Sequence, residues 1–277
     1  MDKQLDKILD ELRKEVGKIS PNLLPLINKF IESCQGGKRL RGKLVILGYE
    51  IGQVHLEGAK AHLRGEILKI AAAYEIMHSA ILAHDDIIDQ SPTRRGQPSL
   101  YKSVGMEQAI TLADLGFFLA IKIISEAKFP EKAKNEALKL FSQTMVDTAI
   151  GQMLDIQKSL PALSVRQAGG RQGDPLLIMQ LKTAKYTVAG PLQLGAMLGG
   201  AKEELIRELG EFGESLGVAF QIKDDILDGE VKSVDDAMVK ALKYSARAKK
   251  IIPKITNDPK MIKLLEELVD YMVGRRK

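Results

Sequence analysis

Residues 67–89 read ILKIAAAYEIMHSAILAHDDIID, and this stretch decides the fold. Ile67, Ile70, Ala71, Ala72, Ala73, Ile76, Met77, Ala80, Ile81, Leu82 and Ala83 leave almost no polar face. A helix apolar nearly all round is buried among other helices. It runs out into Asp85, Asp86 and Asp89. Asp85 and Asp89 are four apart, so on a helix they stand one turn, about 6 Å, apart on one face. Like charges at that spacing repel by a few tenths of a kcal/mol. A hard divalent cation removes the penalty, and carboxylate oxygens are the ligands that Mg²⁺ prefers. The plainer alternative is a solvated acidic helix end. Burial of the preceding helix weighs against it, because the carboxylates then sit at the rim of a core.

The pattern recurs as Asp224-Asp225-Ile226-Leu227-Asp228, after Leu216, Val218, Ala219, Phe220 and Ile222. Two carboxylate walls facing each other could hold several Mg²⁺ around a diphosphate. Outward from these motifs the spacing stays helical. Leu5, Ile8, Leu9, Leu12 and Val16 repeat at threes and fours. Residues 58–90, 105–128, 131–160, 175–199 and 202–228 read as long helices rich in good helix formers. Breaks fall at Gly36-Gly37, Ser91-Pro92, Phe129-Pro130 and the stretch Ala168 to Pro175, the most loop-like of all. No alternating strand of useful length, fixed repeat or low-complexity linker is visible. The expectation is a single all-α domain over residues 1–277, a bundle of roughly ten helices.

Composition narrows the function. Of 277 residues 45% are hydrophobic and 28% charged, which excludes disorder for most of the chain. Forty-one basic against 36 acidic residues give +5, but there is no Trp, only 5% aromatics and no strong basic block. Nucleic acid is therefore not an expected partner. The single cysteine, Cys34, excludes an intrachain disulfide and a Cys-rich zinc site. With no signal-peptide core in MDKQLDKILDELRKEV and no apolar run of about 18 residues, a cytoplasmic chain without a transmembrane segment is expected.

Cationic groups lie near the first acidic motif. Gly36-Gly37-Lys38-Arg39-Leu40-Arg41 sets three positive side chains beside two glycines, and Arg94-Arg95-Gly96 follows Asp89 after a short turn. Glycines let backbone N–H groups approach an anion, and arginine grips phosphate with paired hydrogen bonds. GxxxxGK[ST] is absent, so this is no P-loop. Either basic group alone could be a plain surface patch. Beside an acidic metal site, both suit an anionic substrate carried with its metal.

Together GGKRLR, HSAILAHDDIIDQSPTRRG, GQMLD, LKTAKYT and FQIKDDILD resemble the trans-isoprenyl diphosphate synthases, the farnesyl and geranylgeranyl diphosphate synthase family, in family order from residue 36 to 228. The resemblance implies a helical bundle of isoprenoid synthase type around a deep, elongated central cavity, usually a homodimer. It implies that Asp85 and Asp89, with Asp86 nearby, bind two Mg²⁺ on the allylic diphosphate. Asp224, supported by Asp225 and Asp228, would hold a third. Lys38, Arg41, His78 and Arg95 would bind isopentenyl diphosphate, and Arg94 the allylic diphosphate. Lys182, Thr183 and Gln221 would line the reaction centre, with Gln152 and Asp155 on a cavity-lining helix. A lone His on an apolar helix is ordinarily a satisfied core residue. His78, however, lies seven residues before Asp85 and on nearly the same face.

The implied reaction is Mg-dependent ionisation, head-to-tail condensation and elimination, a prenyltransferase chemistry that needs no protein nucleophile. Product length can be argued from helix geometry. Each turn below Asp85 descends about 5.4 Å, close to one isoprene unit. Ala80 and Ile81 lie one turn down, Met77 two and Tyr74 three. No aromatic side chain blocks the first turn, so a geranylgeranyl product or a somewhat longer one is expected, with Met77 and Tyr74 near the floor. Tyr74 pointing into the core is the alternative.

Two departures from the family pattern stand out. The Pro that commonly follows GGKRLR is Gly42. After Asp228 the usual Gly-Asp turn and Gly-Lys pair give way to GEVKSVDDAMVKALK, with Lys232 the nearest substitute. That shortening leaves open a weakly active or non-catalytic subunit of a heteromeric synthase; the other rival, a class I terpene cyclase of the same fold class, would lack GGKRLR and carry a different second metal motif.

Overall fold

A computed structural model describes residues 1–53, 63–158 and 174–275. Residues 58–62 and 159–160 of the expected helices, and residues 168–173 of the expected loop, lie outside the described residues. The chain divides into two compact units, Met1–Ile46 with Lys60–Leu138 and Leu47–Ala59 with Lys139–Lys277. As the spacing requires, the described chain is helical almost throughout.

The first unit opens with α1 (Asp2–Ile19), a 3₁₀ turn (Pro21–Leu23), α2 (Leu24–Ser33) and the start of α3 (Leu40–Gln53). It continues with α4 (Leu63–Ile88), α5 (Leu100–Val104), α6 (Met106–Glu126) and the start of α7 (Glu131–Lys158). Leu5, Ile8, Leu9 and Leu12 of α1 pack with Ile27 and Phe30 of α2, with Ala72, Ile76, Ala80 and Ala83 of α4, and with Ala109, Leu112 and Ala113 of α6. Small residues on α4 let its neighbours come close. Its two buried glutamates are satisfied: Glu66 accepts from Lys69 and from the Lys128 amide, and Glu75 accepts from the Gly42 amide at 2.8 Å. Proline at position 42 could not make that last bond, because it has no N–H.

By length and composition α6 could cross a membrane, with a mean hydropathy of 1.5 in its most apolar window. The sequence reading did not anticipate this. Its inner stripe, Ala109, Leu112, Ala113, Gly116, Ala120 and Ile124, is buried, as in a core helix. One further element was unforeseen. Thr93–Arg94 (β1) and Gln97–Pro98 (β2) form a two-residue antiparallel ladder around Arg95-Gly96.

The second unit holds the rest of α3 and α7, then a helical run from Pro175 to Leu198 that is not uniform. It starts as α8 (Pro175–Ile178), becomes a π-helix over Met179–Ala189 and returns to α-helix as α9 (Gly190–Leu198). α10 (Glu203–Asp228), α11 (Val234–Ile255) and α12 (Pro259–Gly274) complete it. Ala184 of the π-helix shares a core with Val218, Ala219 and Ile222 of α10, Ala237 and Ala241 of α11, and Val273 of α12. Gly213 and Gly217 of α10 lie against Ala189 and Ala184, where a Cβ would collide. α10 ends at Gly229, left-handed at φ 75°, with the Glu230 amide donating back to the Asp225 carbonyl at 2.9 Å. Ser233 then caps α11 by accepting from the Asp236 amide. Residues 229–233 alone thus link α10 to α11.

Candidate active site

In the first unit two loops distant in sequence meet. Arg95 Nη1 donates to the Gln35 carbonyl at 2.5 Å, tying the Arg94-Arg95 turn to the glycine loop. Gly37, at φ 81°, lies flat against the Arg95 guanidinium; a Cβ there would stand 2.8 Å from Nη2. Among the described residues the non-glycine residues in the left-handed region are Arg39, Gln90 and Arg95. All three lie in these loops, and backbone strain of this kind gathers at functional sites. Arg39, which the motif reading left without a role, is a buried strut. Its Nη1 donates to the Cys34 carbonyl at 2.8 Å and its Nε to Asp2 at 3.2 Å.

Half-buried His78 stands among these cations. Burial first, and then the charges of Arg41, Arg95, Arg94 and Arg39, pull its pKa well below the ordinary value, so the imidazole is neutral at pH 7. Burial and Arg39 likewise lower Arg95. Lys38 lies on the exposed rim and Arg41 is half-buried. Of the expected anion-binding residues, His78, Arg41, Arg94 and Arg95 are therefore brought together.

On α4 the three aspartates differ. Asp86 is buried and held by Arg94, whose Nε donates at 2.9 Å and whose Nη2 forms an ion pair with the same oxygen. Asp85 is half-buried and Asp89 exposed at the helix end. Going back from Asp85, Ile81, His78 and Tyr74 follow on the same face at helical spacing. Tyr74 and Met77 are fully buried. Ala80 belongs to the core face shared with α1, α2 and α6, which helical spacing turns away from Asp85.

In the second unit, Lys182 and Thr183 lie half-buried in the π-helix. Lys182 Nζ pairs with Asp155 of α7 at 2.6 Å, and half-buried Gln152 lies three residues before Asp155. Gly151 makes the approach possible, since a Cβ there would run into the Lys182 amide nitrogen. A second pair, Lys185 with Asp147 at 2.7 Å, escaped the sequence reading. On α10, Gln221 Nε2 donates to Asp225 Oδ1 at 2.7 Å, and Asp224 forms an ion pair with Arg275. The Arg275 guanidinium also stacks 4.0 Å above the Phe220 ring. Burial raises the Asp224 pKa, Asp228 and Asp225 add to the rise, and the Arg275 charge opposes it.

These donors fit Mg²⁺ in kind. They are carboxylates at four-residue spacing, and one already attracts a cationic stand-in, the Arg275 guanidinium. Among the described residues no three His, Cys, Asp or Glu side chains converge as a closed metal cage. Mg²⁺ keeps waters and takes one or two carboxylates plus substrate phosphate oxygens.

The polyprenyl synthetase family matches residues 24–242 across both units, and the chain belongs to that family. It is 31% identical over 226 residues to the short chain isoprenyl diphosphate synthase of Methanocaldococcus jannaschii, covering 81% of this chain and 62% of that protein. It is 32% identical over 224 residues to the geranylgeranyl diphosphate synthase of Methanosarcina mazei, covering 81% and 63%. With heptaprenyl diphosphate synthase component 2 of Geobacillus stearothermophilus it shares 31% over 196 residues, 69% of this chain and 54% of that one. The chain thus spans less than two thirds of the length of these relatives. The fold is that of a geranylgeranyl pyrophosphate synthase from Corynebacterium glutamicum solved with isoprenyl diphosphate and magnesium, at TM-score 0.84 over 99% of this chain and 97% of that one, with 19% identity.

Proposed function

We propose that the chain is a trans-prenyltransferase. It condenses isopentenyl diphosphate head to tail with an allylic diphosphate, giving a prenyl diphosphate of geranylgeranyl length or somewhat longer. The observation that carries this reading is the arginine cluster of the first unit, gathered around a neutral His78 on the helix that ends in Asp85 and Asp89. Such a cluster is a ready site for a multiply charged anion. The span of the family across both units supports one domain.

Asp85 and Asp89 would hold Mg²⁺, as would Asp224 with Asp225 and Asp228. Mg²⁺ would take up charge on a departing diphosphate. Lys38, Arg41 and Arg95 bind the diphosphate of isopentenyl diphosphate, and neutral His78 offers it a hydrogen bond. Arg94 leans toward the allylic diphosphate while anchored on Asp86. The allylic C–O bond breaks with its electron pair leaving on the diphosphate. The double-bond pair of isopentenyl diphosphate then forms the new C–C bond. A proton leaves the adjacent carbon for a diphosphate oxygen. Lys182 stabilises the leaving diphosphate, while backbone carbonyls around Lys182-Thr183 and the Gln221 amide oxygen stabilise the allylic cation.

Three finer features belong to the same reading. A homodimer through α6 is supported by exposed Met106, Ile110, Phe118 and Ile121, and Phe118 is 70% exposed. A cytoplasmic site without a membrane span is supported by the lone, buried Cys34 and by the core stripe of α6. Tyr74 and Met77 set the floor for the growing chain. A second reading, a subunit of a heteromeric synthase, draws support from the five-residue link 229–233 where a closing loop would lie.

The test is incubation of the purified chain with labelled isopentenyl diphosphate, primers of increasing length and Mg²⁺, followed by sizing. Products of geranylgeranyl length or longer are expected, and Tyr74→Ala should lengthen them. Product only after a partner chain is added would favour the second reading. No product under either condition would sink both.

A further inference from the structure

The second unit contains an 11-residue π-helix. Long π segments are rare, and where they occur they mark functional sites. This one, Met179–Ala189, carries Lys182 and Thr183. Something must hold its register, because a slip of one residue would turn both side chains away.

Two ion pairs fasten it to α7. Asp147, Gly151 and Asp155 recur every four residues and share one side of α7. At the middle position the missing Cβ lets the Lys182 backbone rest on α7. The two lysines then splay in opposite directions along α7. Lys182 reaches Asp155 at 2.6 Å and Lys185 reaches Asp147 at 2.7 Å. Their anchors lie about 12 Å apart along the helix axis. One anchor leaves a segment free to rotate and slide about it, whereas two separated anchors fix both motions.

The two pairs are not equivalent. Asp147 is the more buried carboxylate of the two. It also accepts from Gln143 Nε2 at 2.9 Å, and its side chain is 16% exposed against 35% for Asp155. Burial works against its charge, but the bonds from Lys185 and Gln143 outweigh that and hold its pKa below the ordinary value. Lys182 is the lysine assigned to the reacting diphosphate, so it must loosen its grip on Asp155 during the reaction. Nothing in the chemistry asks Lys185 to move.

We propose that Lys185 and Asp147 form a positioning pair that keeps the π-helical register of Lys182 and Thr183 when Lys182 leaves Asp155 for the diphosphate. The inference rests on the prenyltransferase reading for what Lys182 does, but not for what braces it. Lys185 is a positioning residue and touches no substrate.

The experiment compares Lys185→Met, Lys182→Met, the double variant and Lys185→Arg, by steady-state kinetics and by hydrogen exchange over residues 179–189 of the substrate-free protein. Lys185→Met should lower kcat by about 10- to 100-fold while KM for isopentenyl diphosphate stays within about twofold. In the Lys182→Met background it should lower kcat several-fold less than in the wild type, because only the part that passes through Thr183 remains. Lys185→Arg should recover most of the loss, and Asp147→Asn should match Lys185→Met. Exchange over 179–189 should rise about tenfold in Lys185→Met and hardly change in Lys182→Met. The proposal is overturned by wild-type kcat in Lys185→Met, by an equal loss in both backgrounds, or by unchanged exchange. Should the wild-type chain form no product with any primer, the prenyltransferase reading falls. Hydrogen exchange then decides the brace by itself.

Discussion

The aspartate motifs of α4 and α10 have nearly the same spelling and opposite arrangements. On α4 the arginine partner takes the middle carboxylate. Asp86 is sunk to 4% side-chain exposure, and Arg94, 39% exposed, reaches in from a turn eight residues further on. On α10 the partner takes the first carboxylate. Asp224 keeps 31% exposure, and the arginine, Arg275, is the more buried of the two at 11%. So on α4 a structural carboxylate is neutralised and the rim is left to Asp85 and Asp89. On α10 the neutralised group is itself a proposed metal ligand. Five residues set the spacing of the charges in each motif. Which charge remains for a cation is decided by a tertiary partner.

The largest effect should come from the rim carboxylates. Asp85→Ala and Asp224→Ala should each cut turnover by about a thousandfold; Asp85→Ala should leave the urea midpoint nearly unchanged, whereas Asp224→Ala should lower it, because it takes this partner from the buried Arg275. Equal turnover in either variant would remove that motif from the metal assignment. Asp86→Ala should break the other way. It strips a buried partner from Arg94, and the loss should be about 1–3 kcal/mol of stability, seen as a lower urea midpoint at constant slope. If Asp86→Ala leaves stability untouched, the two motifs do not differ as described.

How much of this could be read beforehand depends on the distance over which each feature is determined. The helices were legible because burial imposes a three-and-four spacing on Leu5, Ile8, Leu9 and Leu12 or on the α4 run. The short α10–α11 link was legible too, since Gly229 and Ser233 are local stop and start signals. That Ala80 faces the core was within reach of helical arithmetic: five residues from Asp85 is about 140° around the helix. The π-helix was not legible. Residues 175–199 carry an ordinary helical pattern, and the altered winding is fixed from outside, by Gly151, Gly213 and Gly217 and by the Asp147 and Asp155 anchors. Arg275 on Asp224 and Arg39 on the Cys34 carbonyl are likewise contacts that chain spacing does not encode.

A smaller effect should separate the motifs by their cations. If Asp224 holds Mg²⁺, Arg275 would compete for its carboxylate, so Arg275→Ala should tighten Mg²⁺ binding by the substrate-free protein about fivefold, the equivalent of one modest ion pair. Arg94→Ala should leave Mg²⁺ affinity nearly unchanged, because Asp86 is buried beneath the rim. Calorimetric titration of both variants with Mg²⁺ distinguishes them. Equal shifts would show that the middle carboxylate also reaches the metal.

The smallest effect is a pH dependence of stability that His78 gives the first unit. His78 is neutral in the folded state, because burial and four arginines keep its pKa well below 6.5, whereas the unfolded chain titrates near that value. As pH falls through 6.5 the unfolded state binds a proton that the folded state refuses, so stability declines toward acid and is full above about pH 7. Between pH 7 and pH 6 the decline should be about half to one kcal/mol from this group. His78→Gln keeps a hydrogen-bonding side chain without a titrating ring and should flatten the curve over that interval. Asp224→Asn should leave that interval as it is, since carboxylates titrate at lower pH. Urea midpoints at pH 7, 6.5 and 6 for the two variants decide the matter. An unchanged slope in His78→Gln would mean that the imidazole is not held neutral by the arginines, and the anion site of the first unit would need a different account.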